Sequence, residues 1–235
     1  MLKLSRLPNG EPEIFASIQG EGPCIGVPSV FVRLSLCNLH CTWCDTKYTW
    51  DWANYDPKEE ISRIDVHDIA RRIEQTGIRN VVITGGEPLL QQRELEELVA
   101  MVKQRDRRVE VETNGTIAPQ PSLAQFVDQW NISPKLQSSG NAEAEREIAP
   151  ALHWFAAQPN AYFKFVVTQP ADLDEVRSLV RRYTLPADRV LLMPEGRDAA
   201  TLNQRSLWLV ERCRDAGYRF TPRLHVLLWG DKRGR

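Results

Sequence analysis

The chain has 235 residues, 42% of them apolar and 26% charged, values of a folded globular protein that exclude a disordered or fibrous one. Thirty Lys and Arg against 31 Asp and Glu leave a net charge of -1, which excludes a global pull toward nucleic acid or an anionic membrane and favours a small-molecule partner. The N-terminal "MLKLSRLPNGEPEIF" has no apolar signal region, and no later stretch approaches the ~20 apolar residues that span a bilayer, so the expectation is a cytoplasmic protein with one domain over residues 1–235.

In chain order, "SVFVRLSL" (Ser29 to Leu36) reads as a strand. The polar, aromatic stretch from Asp51 to Asp65 reads as a long loop or poorly periodic helix, after which Val66, Ile69 and Ile73 mark a helical face. Strands follow at "NVVIT" (Asn80 to Thr84), "RVEVET" (Arg108 to Thr113) and "WNIS" (Trp130 to Ser133), with a helix on Leu95, Leu98, Val99 and Val102 between the first two. Gln137 to Pro150 lacks a clear apolar face and reads like the earlier loop. "YFKFVVT" (Tyr162 to Thr168) and "RVLLM" (Arg189 to Met193) complete six strands, with helices on Leu173, Val176, Leu179 and Val180 and on Leu207, Leu209, Val210 and Cys213. Such alternation predicts an α/β fold around a mostly parallel sheet. Six strands are too few for an eight-stranded barrel, so a partial (β/α) barrel is expected.

The polar motifs follow the strands. A cysteine cluster succeeds the first, "TGGEP" the second, "ETNG" the third, "SPK" the fourth and "MPEG" the last. In parallel α/β architectures the C-terminal strand ends carry the active site, so five motifs on one rim imply one pocket.

Of five cysteines, three stand in "CNLHCTWC" as Cys37, Cys41 and Cys44. Clustered thiols in a reducing compartment point to metal or catalytic use rather than to disulfides. A structural zinc site wants four ligands. No second cysteine pair exists, and His40, adjacent to Cys41, would be an awkward fourth ligand. A 4Fe–4S cluster with three protein thiolates instead leaves one iron open for an exogenous ligand. The CxxxCxxC spacing, with Trp43 before the last cysteine, resembles the radical S-adenosylmethionine (SAM) superfamily, in which the open iron chelates the amino and carboxylate groups of SAM.

The flanks narrow the resemblance. "EIFASIQGEG" (Glu13 to Gly22), "FVRLSLCNLHCTWCDTKYTWD" (Phe31 to Asp51), the rim motifs and "LHVLLWGDKRG" near the C-terminus together resemble the 7-carboxy-7-deazaguanine synthase family. The resemblance implies a SAM-dependent carbon–nitrogen lyase of queuosine and deazapurine biosynthesis that converts 6-carboxy-5,6,7,8-tetrahydropterin to 7-carboxy-7-deazaguanine with loss of ammonia. It implies a 4Fe–4S cluster, SAM and Mg2+ as cofactors, a flavodoxin- or ferredoxin-like electron donor, and a homodimer.

It also implies roles for individual residues. Cys37, Cys41 and Cys44 would hold the cluster and Thr46 the magnesium, with Asp45 an alternative or supporting ligand. Ile18, Gln19 and Gly20 match a pterin-contacting segment, with Glu21 beside them. Arg33 matches a substrate-binding arginine whose planar fork suits a carboxylate, and Thr84 a further substrate contact. Gly85, Gly86, Glu87, Glu112, Asn114, Ser133, Pro134, Lys135, Met193, Pro194, Glu195 and Gly196 match or resemble SAM-binding positions, Glu87 either as a polar handle or as a loop cap. Leu36 is a departure, because a glycine often precedes the first cysteine in the family. Trp50 and Trp52 either wall the pocket or cover the loop. His67, His153 and His225 show no partner spacing and none is assigned a catalytic role. Two other readings are another radical SAM enzyme, such as a glycyl-radical activase, and a non-catalytic zinc-binding protein.

Overall fold

A computed structural model describes residues 1–235. Ten strands form one sheet: β1 (Leu2–Ser5), β2 (Ile14–Ile18), β3 (Pro28–Leu34), β4 (Ile61–Ile64), β5 (Asn80–Gly85), β6 (Arg108–Thr113), β7 (Gln129–Ile132), β8 (Ala161–Val167), β9 (Val190–Pro194) and β10 (Arg219–Phe220). The order is β10-β9-β8-β7-β6-β5-β3-β1-β4, with β2 also paired to β3. From β3 through β5, β6, β7, β8 and β9 to β10 every pairing is parallel. The additions on the other edge, β1, β2 and β4, are antiparallel. The terminal strands β10 and β4 do not pair, which leaves the barrel partial.

The six expected strands are β3, β5, β6, β7, β8 and β9, neighbours in the parallel part of the sheet. Period-2 alternation divides them between two surfaces. Val30, Val32, Leu34, Val81, Ile83, Val109, Val111, Trp130, Ile132, Phe163, Phe165, Val167, Val190 and Leu192 all belong to the apolar core between sheet and helices. The alternate positions, among them Arg33, Thr84, Glu112, Asn131, Lys164 and Met193, face the inside of the curved sheet and line one cavity. The outer face holds the fold together, and the inner face is free for chemistry.

The helices cover the outer face. Val66–Gln75 is capped by the Asp65 side chain, which accepts from His67 N, and buries Val66, Ile69, Ala70 and Ile73. Gln92–Lys103 buries Leu95, Leu98, Val99 and Val102, and Asp172–Arg182 buries Leu173, Val176 and Leu179. The helix Ala199–Ala216 differs from its sequence pattern: it buries Leu202, Leu209 and Cys213, while Leu207 and Val210 face outward. Positions 202, 209 and 213 recur at helical spacing, whereas 207 and 210 fall off that stripe.

Both stretches read as loops contain short structure. Asp51 to Asp65 includes the helical turn Pro57–Glu60 and β4, and Gln137 to Pro150 includes the helix Glu143–Arg146 and the start of Ala149–Ala156. β4 exists through its pairing with β1, Leu2 opposite Ile64 and Ser5 opposite Ile61, a partner some 60 residues away that no local pattern announces. No helix is long and apolar enough to cross a membrane.

Candidate active site

One cavity opens on the inner face at the C-terminal strand ends. Its empty space, the solvent-open mouth included, amounts to about 1310 Å³. Cys37, Cys41 and Cys44 line the cavity together with Ile18, Gln19, Gly20, Glu21, Arg33 and Thr84.

The cysteine loop is shaped by its exit from β3. Leu36 adopts φ 77, the left-handed region that disfavours a Cβ and explains why glycine suits this position. Its conformation is held at both ends: Leu36 N donates to the Thr49 carbonyl at 2.8 Å, and its carbonyl accepts from Glu87 N at 2.8 Å. Gly86 sits against the same turn, where a Cβ would lie 2.0 Å from the Leu36 carbonyl oxygen. The glycine therefore lets two loops of the rim touch, in addition to leaving the backbone accessible to a ligand.

Burial pushes the Cys37 thiol up to about 12 and the Cys41 thiol above its ordinary value. No three Cys, His, Asp or Glu side chains converge closely enough to hold a single ion. A cubane cluster takes one thiolate per iron and so spans a wider triangle. His40 is exposed and stacks on Trp50, ring centroids 4.8 Å apart, so it supplies no fourth ligand inside the cavity. Three cysteines on one wall, with open volume beside them, fit a 4Fe–4S cluster with a free iron and do not fit a tetrahedral zinc site.

Glu87 is fully enclosed and accepts from Leu89 N at 3.0 Å, Thr113 Oγ1 at 2.8 Å and Asn114 N at 2.7 Å. It is the loop cap of the two readings, tying the loop after β5 to the loop after β6, and it does not line the cavity. Glu112 does, and accepts from Gln19 Nε2 at 3.2 Å and Thr84 Oγ1 at 2.7 Å. Asn114 lines the cavity while bonded to Asn38. Lys135 turns back on Ser133, its ammonium donating to the Ser133 carbonyl and hydroxyl at 2.8 Å. Ser133, Lys135, Met193, Glu195, Gly85 and Gly86 line the cavity, whereas Pro134, Pro194 and Gly196 do not. The Gly196 carbonyl instead accepts from Arg223 Nη1 at 2.8 Å.

Arg33 is anchored through Nε, which donates to Glu13 at 2.8 Å, and its two terminal nitrogens have no protein acceptor. Burial opposes its charge, but the carboxylates of Glu13 and Asp45 outweigh that and keep the guanidinium protonated. A cation fixed at one end with its fork open to a cavity is arranged to take an anion from solution.

Sequence reasoning missed Lys164 and Arg223, the cationic half of a charged cluster that lines the same cavity. Lys164, on β8, pairs with Glu21, and Arg223 pairs with both Glu21 and Asp45. Burial raises the Glu21 carboxyl, yet the charges of Lys164 and Arg223 outweigh it and hold Glu21 far below the usual carboxylate range. Asp45 is likewise lowered, the effect of burial being overcome chiefly by Arg223. His225 also reaches this rim: its ring lies so near Gly20 that a Cβ there would meet Nδ1 at 2.2 Å. Burial lowers the His225 pKa, which favours the neutral imidazole. Thr46 faces the cavity with its hydroxyl 3.6 Å from the Cys44 sulfur. Asp45 being committed to Arg223, Thr46 is the freer oxygen of the two. The signal for Lys164 and Asn131 was present as polar residues at alternate positions of apolar strands.

Comparison with known proteins agrees with this geometry. Residues 32–133 match the family model of the radical SAM superfamily. The chain is 41% identical over 226 residues to the 7-carboxy-7-deazaguanine synthase of Pyrobaculum aerophilum, covering 95% of this chain and 96% of that one. It is 31% identical to the enzyme of the same name from Bacillus subtilis, over 94% of this chain and 96% of the other. The crystal structure of QueE from Escherichia coli superimposes with a TM-score of 0.66 at 26% identity, covering 95% of each chain. With the cysteine loop, the glycine turn and the cavity between them in place, the chain belongs to the 7-carboxy-7-deazaguanine synthase family of radical SAM enzymes.

Proposed function

We propose that the protein converts 6-carboxy-5,6,7,8-tetrahydropterin to 7-carboxy-7-deazaguanine with loss of ammonia, using a 4Fe–4S cluster on Cys37, Cys41 and Cys44, SAM, and Mg2+ on Thr46. The observation that carries this reading is the open fork of Arg33 in the same cavity as the three cysteines. When bound, the reduced cluster and SAM supply a carbon-centred radical, chemistry that no side chain can supply.

The chain's own residues bind and orient. Arg33 is suited to pair the substrate carboxylate through its two free nitrogens. The Gln19–Glu112–Thr84 array offers a donor and acceptor edge of the kind a pterin ring presents. Gly85, Gly86 and the Ser133 to Lys135 turn are suited to SAM through backbone groups, as are Met193 and Glu195 on the next rim segment. Thr46 would hold a magnesium ion through its hydroxyl, and the ion would supply positive charge beside the substrate carboxylate. Part of the wall is suited to excluding water: Phe15, Phe31, Trp43 and Val166 present apolar surface to the cavity.

A one-electron donor of flavodoxin or ferredoxin type, a homodimeric assembly and a cytoplasmic location accompany this reading. So does a single domain over residues 1–235, which one continuous sheet and one core of 38 residues support. Anaerobic incubation of reconstituted protein with the carboxytetrahydropterin, SAM, Mg2+ and dithionite tests it. The expected product is the carboxydeazaguanine, with SAM needed only in catalytic amount. Absence of that product from protein carrying a full cluster would remove the substrate assignment.

A further inference from the structure

Each cysteine sulfur of the cluster loop accepts one N–H. Leu39 N lies 3.5 Å from Cys37 Sγ, Asn141 Nδ2 3.3 Å from Cys41 Sγ, and Trp50 Nε1 3.4 Å from Cys44 Sγ. The first donor belongs to the CxxxCxxC loop itself. The other two are side chains from outside it, Asn141 standing 100 positions from the cysteine it reaches.

Both donors are held in orientation by other contacts. The Trp50 ring stacks on His40 at an interplanar angle of 29°. Asn141 Oδ1 accepts from His40 N at 2.8 Å, and its Nδ2 also donates to Ser139 Oγ at 3.1 Å. Because His40 N–H can only be met by the amide oxygen, the amide nitrogen must face the sulfur. The surrounding turn is stapled to the same loop, with Thr42 N donating to the Ser139 carbonyl at 2.9 Å and Trp43 Nε1 to the Ser138 carbonyl at 3.1 Å.

A neutral thiol is a weak acceptor, whereas a metal-bound thiolate carries charge that an N–H stabilises. One-electron reduction increases that charge. Hydrogen bonds to cluster sulfurs therefore favour the reduced form and raise the reduction potential. We infer that Trp50 and Asn141 are positioning residues that make the radical-generating cluster easier to reduce, through their N–H bonds to Cys44 and Cys41. The inference rests on the assignment of the three cysteines to a 4Fe–4S cluster. The electron comes from an external one-electron reductant, and no bond to Trp50 or Asn141 forms or breaks.

The test is an EPR-monitored redox titration of the full chain, reconstituted anaerobically with iron and sulfide, with iron and acid-labile sulfide measured on each sample. Trp50→Phe keeps the ring that stacks on His40 and removes the N–H. Asn141→Leu keeps the side chain's size and removes the donor facing Cys41 without adding a charge beside the cluster. Each variant is expected to retain parental cluster content and to show a lower midpoint, the reduced-to-oxidised ratio at fixed potential falling several-fold to tenfold; tenfold is 59 mV for one electron. Unchanged midpoints at parental cluster content would overturn the inference. So would variants that lose the cluster outright while the parent keeps it, since the residues would then be loop staples. A parent chain that takes up no iron and labile sulfide would overturn the cluster assignment itself.

Discussion

Arg33 Nε donates to Glu13 Oε1 at 2.8 Å, and the Glu13 carboxylate is completely enclosed. The same carboxylate accepts from Tyr48 Oη at 3.2 Å and from Arg233 Nε at 3.2 Å. Arg233 lies over the Tyr48 ring, 3.4 Å from its centroid. Three segments distant in sequence thus fix the guanidinium's inner end and leave its outer end for substrate. Arg33→Lys keeps the charge and loses the fork, so KM for the pterin should rise about 10- to 100-fold, the scale of one charge-assisted hydrogen bond of about 1.5–3 kcal/mol. Steady-state kinetics check this; an unchanged KM would mean the arginine does not bind substrate. Glu13→Gln should instead lower stability, by up to about 3–5 kcal/mol, because Arg33 loses its only paired carboxylate while Arg233 keeps Glu60.

Glu21 predicts a pH dependence. Its folded pKa lies below its unfolded value of 4.5. Between about pH 5 and 3 the unfolded chain takes up a proton at this residue that the folded chain refuses. Stability should therefore be fully present above that window and fall on acidification, by as much as about 1.4 kcal/mol per pH unit from this group. In Glu21→Gln the acid limb should flatten by that amount. The variant should also be weaker at pH 7, because Lys164 and Arg223 lose a buried partner. Denaturant titrations of parent and variant across the pH range decide it; parallel curves would place Glu21's carboxylate outside the stabilising network.

Gly86→Ala places a methyl group against main chain rather than against a movable side chain, 2.0 Å from Leu36 O and 2.6 Å from Leu36 C. The cysteine loop must then shift. The expected cost is at least the roughly 1–3 kcal/mol of an overpacked site, each kcal/mol lowering Tm by about 2–4 °C for a chain of this size, with iron uptake on reconstitution reduced. Parental Tm and iron content in the variant would show that the two loops do not need their close contact.

Thr46→Ala removes the proposed magnesium oxygen while leaving the Asp45–Arg223 pair in place. Turnover should fall and the Mg2+ concentration giving half-maximal rate should rise at least several-fold. Asp45→Asn should act differently. It weakens the pair with Arg223, so thermal stability should change more than the Mg2+ response. The two half-maximal concentrations and two melting temperatures, compared, test which residue serves the metal.

Much of the fold was legible because its signals are local. "RVEVET" and "YFKFVVT" alternate at the period of a strand, and Val66, Ile69 and Ile73 repeat at that of a helix. β1, β2 and β4 were not legible, being defined by antiparallel pairing with partners that no local pattern announces. The same division holds in the site. Cys37, Cys41 and Cys44 announce themselves by spacing. Arg223 does not, since an arginine before a short helix looks like a surface residue until Glu21 is brought to it, and Lys164 shows only as a polar residue in an apolar strand, without its partner.

The sequence by itself determined the cysteine loop, the order of the rim motifs and the alternation that sends apolar side chains outward and polar ones inward, because each depends only on covalent spacing and backbone period. Only the tertiary structure decided that Glu87 is a buried tie rather than a ligand handle, that Arg33 has one end bound and one end free, and that Asn141 meets Cys41. Those outcomes depend on which unpaired donor or charge finds a partner when the sheet curves. A buried charge or N–H lowers its free energy only against groups within a few ångströms, and that distance is set by folding, not by position in the chain.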